Sequence, residues 1–232
     1  MITVRKASNR GRGDYGWLKT RYSFSFANYY DPRHMGVSSL RVINDDVITP
    51  GAGFDTHGHR DMEIITYVTS GTIAHKDSMG NVTELPAGEF QLMSAGSGIR
   101  HSEYNASDTD GLTLLQIWIE PNKFGGQPSY QQKAFGRRQG LHAVITPDGS
   151  NETLKIKQDA RLLHLLLEPQ SADSLQLPPD RVVYVQLLSG LLTVNDEPLT
   201  PGDGARLDNL TNIHFISGNK QAVEALVFDL PA

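Results

Sequence analysis

His57-Gly58-His59 and, further on, His101-Ser102-Glu103 are the stretches that decide how this chain is read. Each is a pair of ligand-type side chains at spacing i, i+2. In a β-strand that spacing places both side chains on one face, because successive residues point to opposite sides. Two such pairs on neighbouring strands aim three imidazoles and a carboxylate into one small space. Imidazole suits Zn, Cu, Fe and Ni, and a carboxylate adds a hard oxygen ligand. The pattern predicts a transition-metal site inside a small β-barrel.

Working outward, the flanking sequence is nearly all strand and turn. Tyr22, Phe24 and Phe26 alternate with small residues, a period-two aromatic face. Leu40-Arg41-Val42-Ile43 reads as a strand that ends at a turn, Asn44-Asp45-Asp46. Met62 to Val68 is strand-like and stops at Ser70-Gly71, Asp77 to Asn81 carries hairpin chemistry, and Pro86-Ala87-Gly88 marks another turn. Phe90 to Met93, Ile99 to Glu103 and Leu112 to Ile119 follow as strands. Short strands with turn signals about every 8 to 12 residues predict a sandwich or barrel.

Lys123-Phe124-Gly125-Gly126-Gln127-Pro128 reads as a linker, after which the strand rhythm resumes. Turn signatures echo between the halves: Ser70-Gly71-Thr72 with Ser189-Gly190-Leu191, and Pro86-Ala87-Gly88-Glu89 with Pro201-Gly202-Asp203-Gly204. The expectation is an all-β chain of two similar barrels from a duplicated unit, residues 1–130 and 131–232. The second copy lacks the chemistry. His142, His164 and His214 stand alone, with no His-x-His and no Glu two residues on, and read as structural or surface residues.

Composition narrows the function classes. The 232 residues include no cysteine, which excludes disulfides, thiolate ligands and catalytic thiols and suits a reducing compartment. No apolar run approaches the ~20 residues that cross a bilayer, and Met1 to Lys6 has no signal-peptide core. A soluble, cytoplasmic protein is expected. The net charge of −5 argues against direct nucleic-acid binding. The locally basic Arg5, Lys6, Arg10, Arg12, Lys19 and Arg21 read as a solvated surface.

The pattern Gly51-x5-His57-x-His59-x3-Glu63-x7-Gly71, followed by Gly98-x2-His101-x3-Asn105, resembles the two motifs of the cupin superfamily, double-sheet jelly rolls that carry a metal among inward side chains. It departs from them by one extra residue between Glu63 and Gly71, and by Gly96 where proline is usual. His57-Gly58-His59-Arg60, Ser94-Ala95-Gly96-Ser97-Gly98-Ile99, His101-x-Glu103 and the early Ser23-Phe24-Ser25-Phe26-Ala27-Asn28-Tyr29-Tyr30-Asp31-Pro32 resemble the pirin family. The resemblance spans the whole chain. It implies a bicupin, two jelly-roll β-barrel lobes of which only the N-terminal one binds metal.

Two carboxylates compete for the fourth ligand position. By parity His57, His59, Asp61 and Glu63 share one strand face, so spacing alone permits Glu63. The pirin resemblance instead implies His57, His59, His101 and Glu103, with Glu63 a cavity group that orients an imidazole. His34 and His75 fall outside the pattern and are expected at exposed loops or strand ends.

Three neutral imidazoles and one carboxylate leave a divalent ion with net charge near +1. An octahedral ion keeps two positions open for an organic ligand and O2, whereas zinc is closed by four ligands. The resemblance is closest to bacterial pirin-like quercetin 2,3-dioxygenases. It implies that a flavonol binds the metal through its 3-hydroxyl, that O2 cleaves the central ring, and that carbon monoxide is released. Glu103 would act as ligand and as catalytic base. Fe(II) is the expected cofactor, with Zn, Ni, Co, Mn and Cu also fitting the donors. A monomer is expected. The alternative reading is a metal- or redox-responsive regulator that binds a protein partner, a transcription factor or metabolic enzyme.

Overall fold

The computed structural model describes all of residues 1–232. Strands dominate; the helical pieces are the short 3-10 turns Ala7–Asn9 and Ser150–Glu152. No helix is long and apolar enough to cross a membrane. The chain divides into two compact units. The first lobe holds residues 11–136 with 156–158, and the second holds residues 1–10, 137–155 and 159–232.

In the first lobe a seven-stranded sheet runs in the order Ser129–Ala134, Glu89–Ser94, Glu63–Ser70, Leu112–Ile119, Leu40–Ile48, Leu18–Tyr22, Gly11–Asp14. A four-stranded sheet has the order Gly53–His59, Ile99–Asn105, Thr72–Asp77, Val82–Pro86. Within the second lobe a seven-stranded and a four-stranded sheet recur. The eight strands from Arg161–Leu167 to Val223–Pro231 occupy the same places in these sheets as the eight from Leu40–Ile48 to Leu112–Ile119 do in the first. The duplication read from the turn echoes is therefore carried by strand order.

The lobes are not consecutive in sequence, and the 1–130 and 131–232 division needs correction. An open sheet edge presents unpaired backbone groups that favour another strand. In the first lobe Ser129–Ala134 pairs along Glu89–Ser94. In the second lobe Ile2–Arg5 takes the matching position along Gly204–Asp208. Residues 123–128 are a loop of the first lobe rather than a linker. Asp61 Oδ1 accepts from Gly125 N at 2.6 Å, and Gly126 O accepts from Ser97 N at 2.6 Å.

Two local readings also change. The aromatic alternation stops being strand at Tyr22, and Phe24 is buried from an irregular segment. The segment Asn44-Asp45-Asp46 is not a turn, because Leu40–Ile48 runs straight through it. Ladder partners on both sides override the turn preference of these residues. Asn44 faces Tyr22 on one neighbour and Gln116 on the other, and Asp46 faces Thr20 and Leu114.

That correction explains the interior of the first lobe. Alternate residues of the wide sheet point at the narrow one, and they form rows across the strands. Leu18, Ile48 and Leu112 make an apolar row, packed with Ile73 and Leu85 of the narrow sheet. The next row, Thr20, Asp46, Leu114 and Val68, is mixed. The one after it is polar throughout: Tyr22, Asn44, Gln116, Thr66 and Gln91. One end of the lobe is thus an oil-like core and the other a polar interior, and the histidines sit at the polar end.

Candidate metal centre

His57 and His59 come from Gly53–His59 at the edge of the narrow sheet, and His101 from its neighbour Ile99–Asn105. His101 lies directly opposite His57 in the ladder, with His59 opposite Ile99. The ring centroids are 4.4 Å apart for His57 and His101, 4.9 Å for His59 and His101, and 4.8 Å for His57 and His59. One nitrogen from each ring lies within 4.8 Å of the others. The i, i+2 argument therefore delivers three imidazoles to one point.

A register shift between His101 and Glu103 brings Glu103 opposite Phe54. Gly53 makes the shift possible, because a Cβ there would collide with the Glu103 carbonyl and the Tyr104 backbone. Gly96 is likewise explained. Its φ of +49° is closed to proline, so the departure from the cupin pattern reflects a left-handed turn.

Burial sets the charge state of the site. His101 is 1% exposed, and neither ring nitrogen has a hydrogen-bond partner in the protein. Burial, then the neighbouring imidazoles, press its pKa down to about 3; burial and His57 take His59 to about 4. Both rings are neutral at ordinary pH and keep a lone pair for a cation. A buried imidazole with two unpaired nitrogens is costly unless a ligand engages it, and this donor set fits a first-row divalent ion.

Glu103 is buried and clusters with His101 and His75 rather than with the triad of His57, His59 and His101. Its carboxylate sits against the polar row, accepting from Gln116 Nε2 at 3.2 Å and from Thr66 Oγ1 at 3.5 Å. Burial first, and then Asp46, push its pKa up to about 7.

Glu63 does not share the face of His57 and His59. The chain turns between the strands, with Asp61 at φ +49°, so the parity count from His59 is broken. Glu63 Oε2 instead accepts from Ser94 Oγ at 2.8 Å and Lys157 N at 3.1 Å. It belongs to neither cluster of metal-ligand atoms.

His75 was expected to be exposed and is 1% exposed. It lies opposite Glu103 in the ladder, its ring 5.4 Å from that of His101. Its Nε2 is 3.0 Å from Asp77 Oδ2, and Tyr130 covers it at 4.7 Å. Burial outweighs the Asp77 interaction and lowers the His75 pKa, leaving the ring neutral. The spacing His75-x-Asp77 on a strand was the signal available in sequence, the same i, i+2 pattern as the first two pairs.

Beside the triad lies a cavity of about 490 Å3 with an aromatic wall that includes Trp17, Phe26, Phe54 and Trp118. Trp118 packs edge-on against His59 at 5.0 Å. Thr20, Asn44, Asp46 and Gln116 of the wide sheet also line it. At the equivalent place in the second lobe the narrow sheet turns apolar side chains inward. Leu175, Ile213, Phe215, Leu192 and Val194 of its narrow sheet join the hydrophobic core, and His214 points outward.

Residues 3–119 match the Pirin family model, and residues 143–230 match that of the quercetinase C-terminal cupin domain. The chain is 48% identical to a quercetin 2,3-dioxygenase of Escherichia coli strain K12, over 100% of this chain and 99% of that protein. It is 44% identical to a pirin-like protein of Caulobacter vibrioides, over 88% and 90%. The crystal structure of the bacterial pirin YhhW from Escherichia coli in complex with nickel(II) superimposes with a TM-score of 0.96 at 48% identity, covering 100% of this chain and 99% of that one. Motifs, strand order and these likenesses agree: the chain belongs to the pirin family.

Proposed function

We propose that this protein is a quercetin 2,3-dioxygenase, a metal-dependent cytoplasmic enzyme that cleaves the central ring of flavonols with O2 and releases carbon monoxide. One observation carries the reading. Three neutral imidazoles stand on the wall of an aromatic-lined cavity of about 490 Å3, so a metal donor set opens onto space for a polycyclic aromatic. The relatives at 48% identity act in name on quercetin, and one binds nickel(II).

His57, His59, His101 and Glu103 are the residues that would hold the ion, with Fe(II) the first choice and Ni, Co, Mn, Cu or Zn able to use the same donors. When bound, such an ion acidifies the flavonol 3-hydroxyl and brings the flavonol and O2 together. The protein supplies the rest. Glu103 would take the 3-hydroxyl proton on a carboxylate oxygen, and Gln116 Nε2 and Thr66 Oγ1 donate to that carboxylate. Trp118 packs edge-on against His59, and Phe26 packs edge-on against Trp118 at 5.2 Å, so the His59 side of the cavity is apolar.

The test is aerobic turnover of the iron-loaded protein, following quercetin loss, O2 uptake and carbon monoxide together. The reading fails if protein with full Fe(II) occupancy consumes no more flavonol than free Fe(II) at equal concentration.

A further inference from the structure

The metal-ligand atoms of the first lobe fall into two groups that share one residue. His57, His59 and His101 form the outer group, and His75, His101 and Glu103 form an inner one. In the inner group a ring nitrogen of each histidine and a carboxylate oxygen lie within 4.8 Å of one another. His75, His101 and Glu103 are 1%, 1% and 2% exposed. Two imidazoles and one carboxylate are the donor set of non-haem Fe(II) oxygenases. The chemistry described above uses His101 and Glu103 and leaves His75 without a role.

His75 is held as metal-binding histidines are held. Asp77 Oδ1 accepts from Met79 N at 2.9 Å and Asn81 N at 3.2 Å, and Oδ2 accepts from Asn81 Nδ2 at 2.8 Å. The turn that follows Thr72–Asp77 thus pins the carboxylate. A carboxylate accepts and does not donate, so the 3.0 Å contact with Oδ2 puts the proton of the neutral His75 ring on Nε2. The lone pair is left on Nδ1, which is buried and has no partner in the protein. A carboxylate that fixes tautomer and ring orientation in this way supports most metal-ligating histidines.

The fold does not require these side chains. The fourth residue after the turn glycine Gly71 is His75, paired in the ladder with Glu103. The fourth after its counterpart Gly190 is Val194, paired with Phe215. Both residues of the second pair sit in a closed hydrophobic core. Where the metal-ligand carboxylate is absent, the histidine opposite it is absent too.

We propose that His75, His101 and Glu103 form an inner seat for the divalent ion, with Asp77 orienting His75. The inference rests on the metal-binding reading above and adds a ligand to it. A neutral imidazole has one lone pair, so two seats that both need His101 hold one ion at a time. His57 and His59 line the cavity and His75 does not, so exchange between the seats moves the ion between ligand-facing and enclosed donors.

The test is equilibrium dialysis against Co(II), a divalent probe with visible absorption, followed by elemental analysis. His57→Ala/His59→Ala removes the outer imidazoles and leaves the inner group whole. This double variant is expected to keep one Co(II) per chain, held more weakly than in wild type and with a changed visible spectrum. Adding Asp77→Asn should weaken that binding by about tenfold or more, and adding His75→Leu should weaken it at least as much. Should circular dichroism show the double alanine chain unfolded, His57→Gln/His59→Gln takes its place in the same comparison. No Co(II) on the folded double variant, or equal affinity with and without His75, overturns the inner seat alone. Two Co(II) ions per wild-type chain overturn the sharing of His101. Wild type that binds no Co(II) overturns the metal reading together with the seat.

Discussion

Gln116 donates from Nε2 to Glu103 Oε2 at 3.2 Å, so a residue of the wide sheet fixes a carboxylate carried by the narrow one. Hydrogen-bond partners of a metal ligand orient it, and their loss lowers metal affinity by about 10- to 100-fold. Gln116→Ala is expected to fall in that range, read as metal retained after dialysis against a chelator of known strength. Unchanged retention would mean that Glu103 is not a ligand or needs no support.

The two candidate carboxylates separate by substitution. Glu63→Gln should keep its metal, because Glu63 is occupied by Ser94 and Lys157 outside the clusters of ligand atoms. Glu103→Ala should lose or loosen it. Elemental analysis of both variants after reconstitution decides the matter, and the reverse result would assign the ligand to Glu63.

Metal-free protein should lose stability as pH rises from about 4 to about 7. Burial pushes Asp46 up to about 7, and burial with the Asp46 charge pushes Glu103 up to about 7. Their unfolded carboxyls titrate near ~4, so the folded state binds more protons between these values. The stabilising share is complete below the unfolded pKa and is lost as pH climbs through the folded one. Asp46→Asn should flatten the curve by up to about 1.4 kcal/mol per pH unit. Urea unfolding of both proteins at several pH values in this window provides the measurement, and parallel curves would sink the assignment.

His101→Ala should abolish metal binding and turnover while the circular dichroism spectrum of the metal-free protein stays that of a β fold. The apolar core of Leu18, Ile48, Val68, Ile73, Leu85, Leu112 and Leu114 lies in other rows of the lobe. Zinc-loaded wild type should turn over far more slowly than the iron form, since zinc has no redox chemistry and favours four ligands. Metal content should be one ion per chain, because apolar side chains fill the corresponding interior of the second lobe. Two tightly held ions would contradict this.

The clustering of three imidazoles was legible in sequence because strand parity is a rigid rule over short spans. It held across His57-Gly58-His59, and it failed at Glu63, where an αL residue, Asp61, resets the count. His75 was expected at an exposed position although the His75-x-Asp77 spacing marked a strand face; that this face is the inner one, opposite Glu103, is a matter of register, which local composition does not write. Asn44 and Asp46 were misread for the opposite reason. Their turn chemistry is strong locally, but two flanking strands commit them to a ladder, and a polar interior was not expected there. The duplication was legible through its turns. The ownership of the edge strands was not, since any edge accepts a strand from wherever the chain supplies one.

The placement of Ile2–Arg5 along Gly204–Asp208 has a consequence for the order of assembly. On a chain made from its amino end, Ile2–Arg5 is synthesised long before Gly204–Asp208, the strand it pairs with. It must wait for nearly the whole polypeptide, while the first lobe gathers its strands from the intervening residues. A fusion or trimming at the amino end would then disturb the lobe whose remaining strands are synthesised last, and leave the metal-binding lobe untouched.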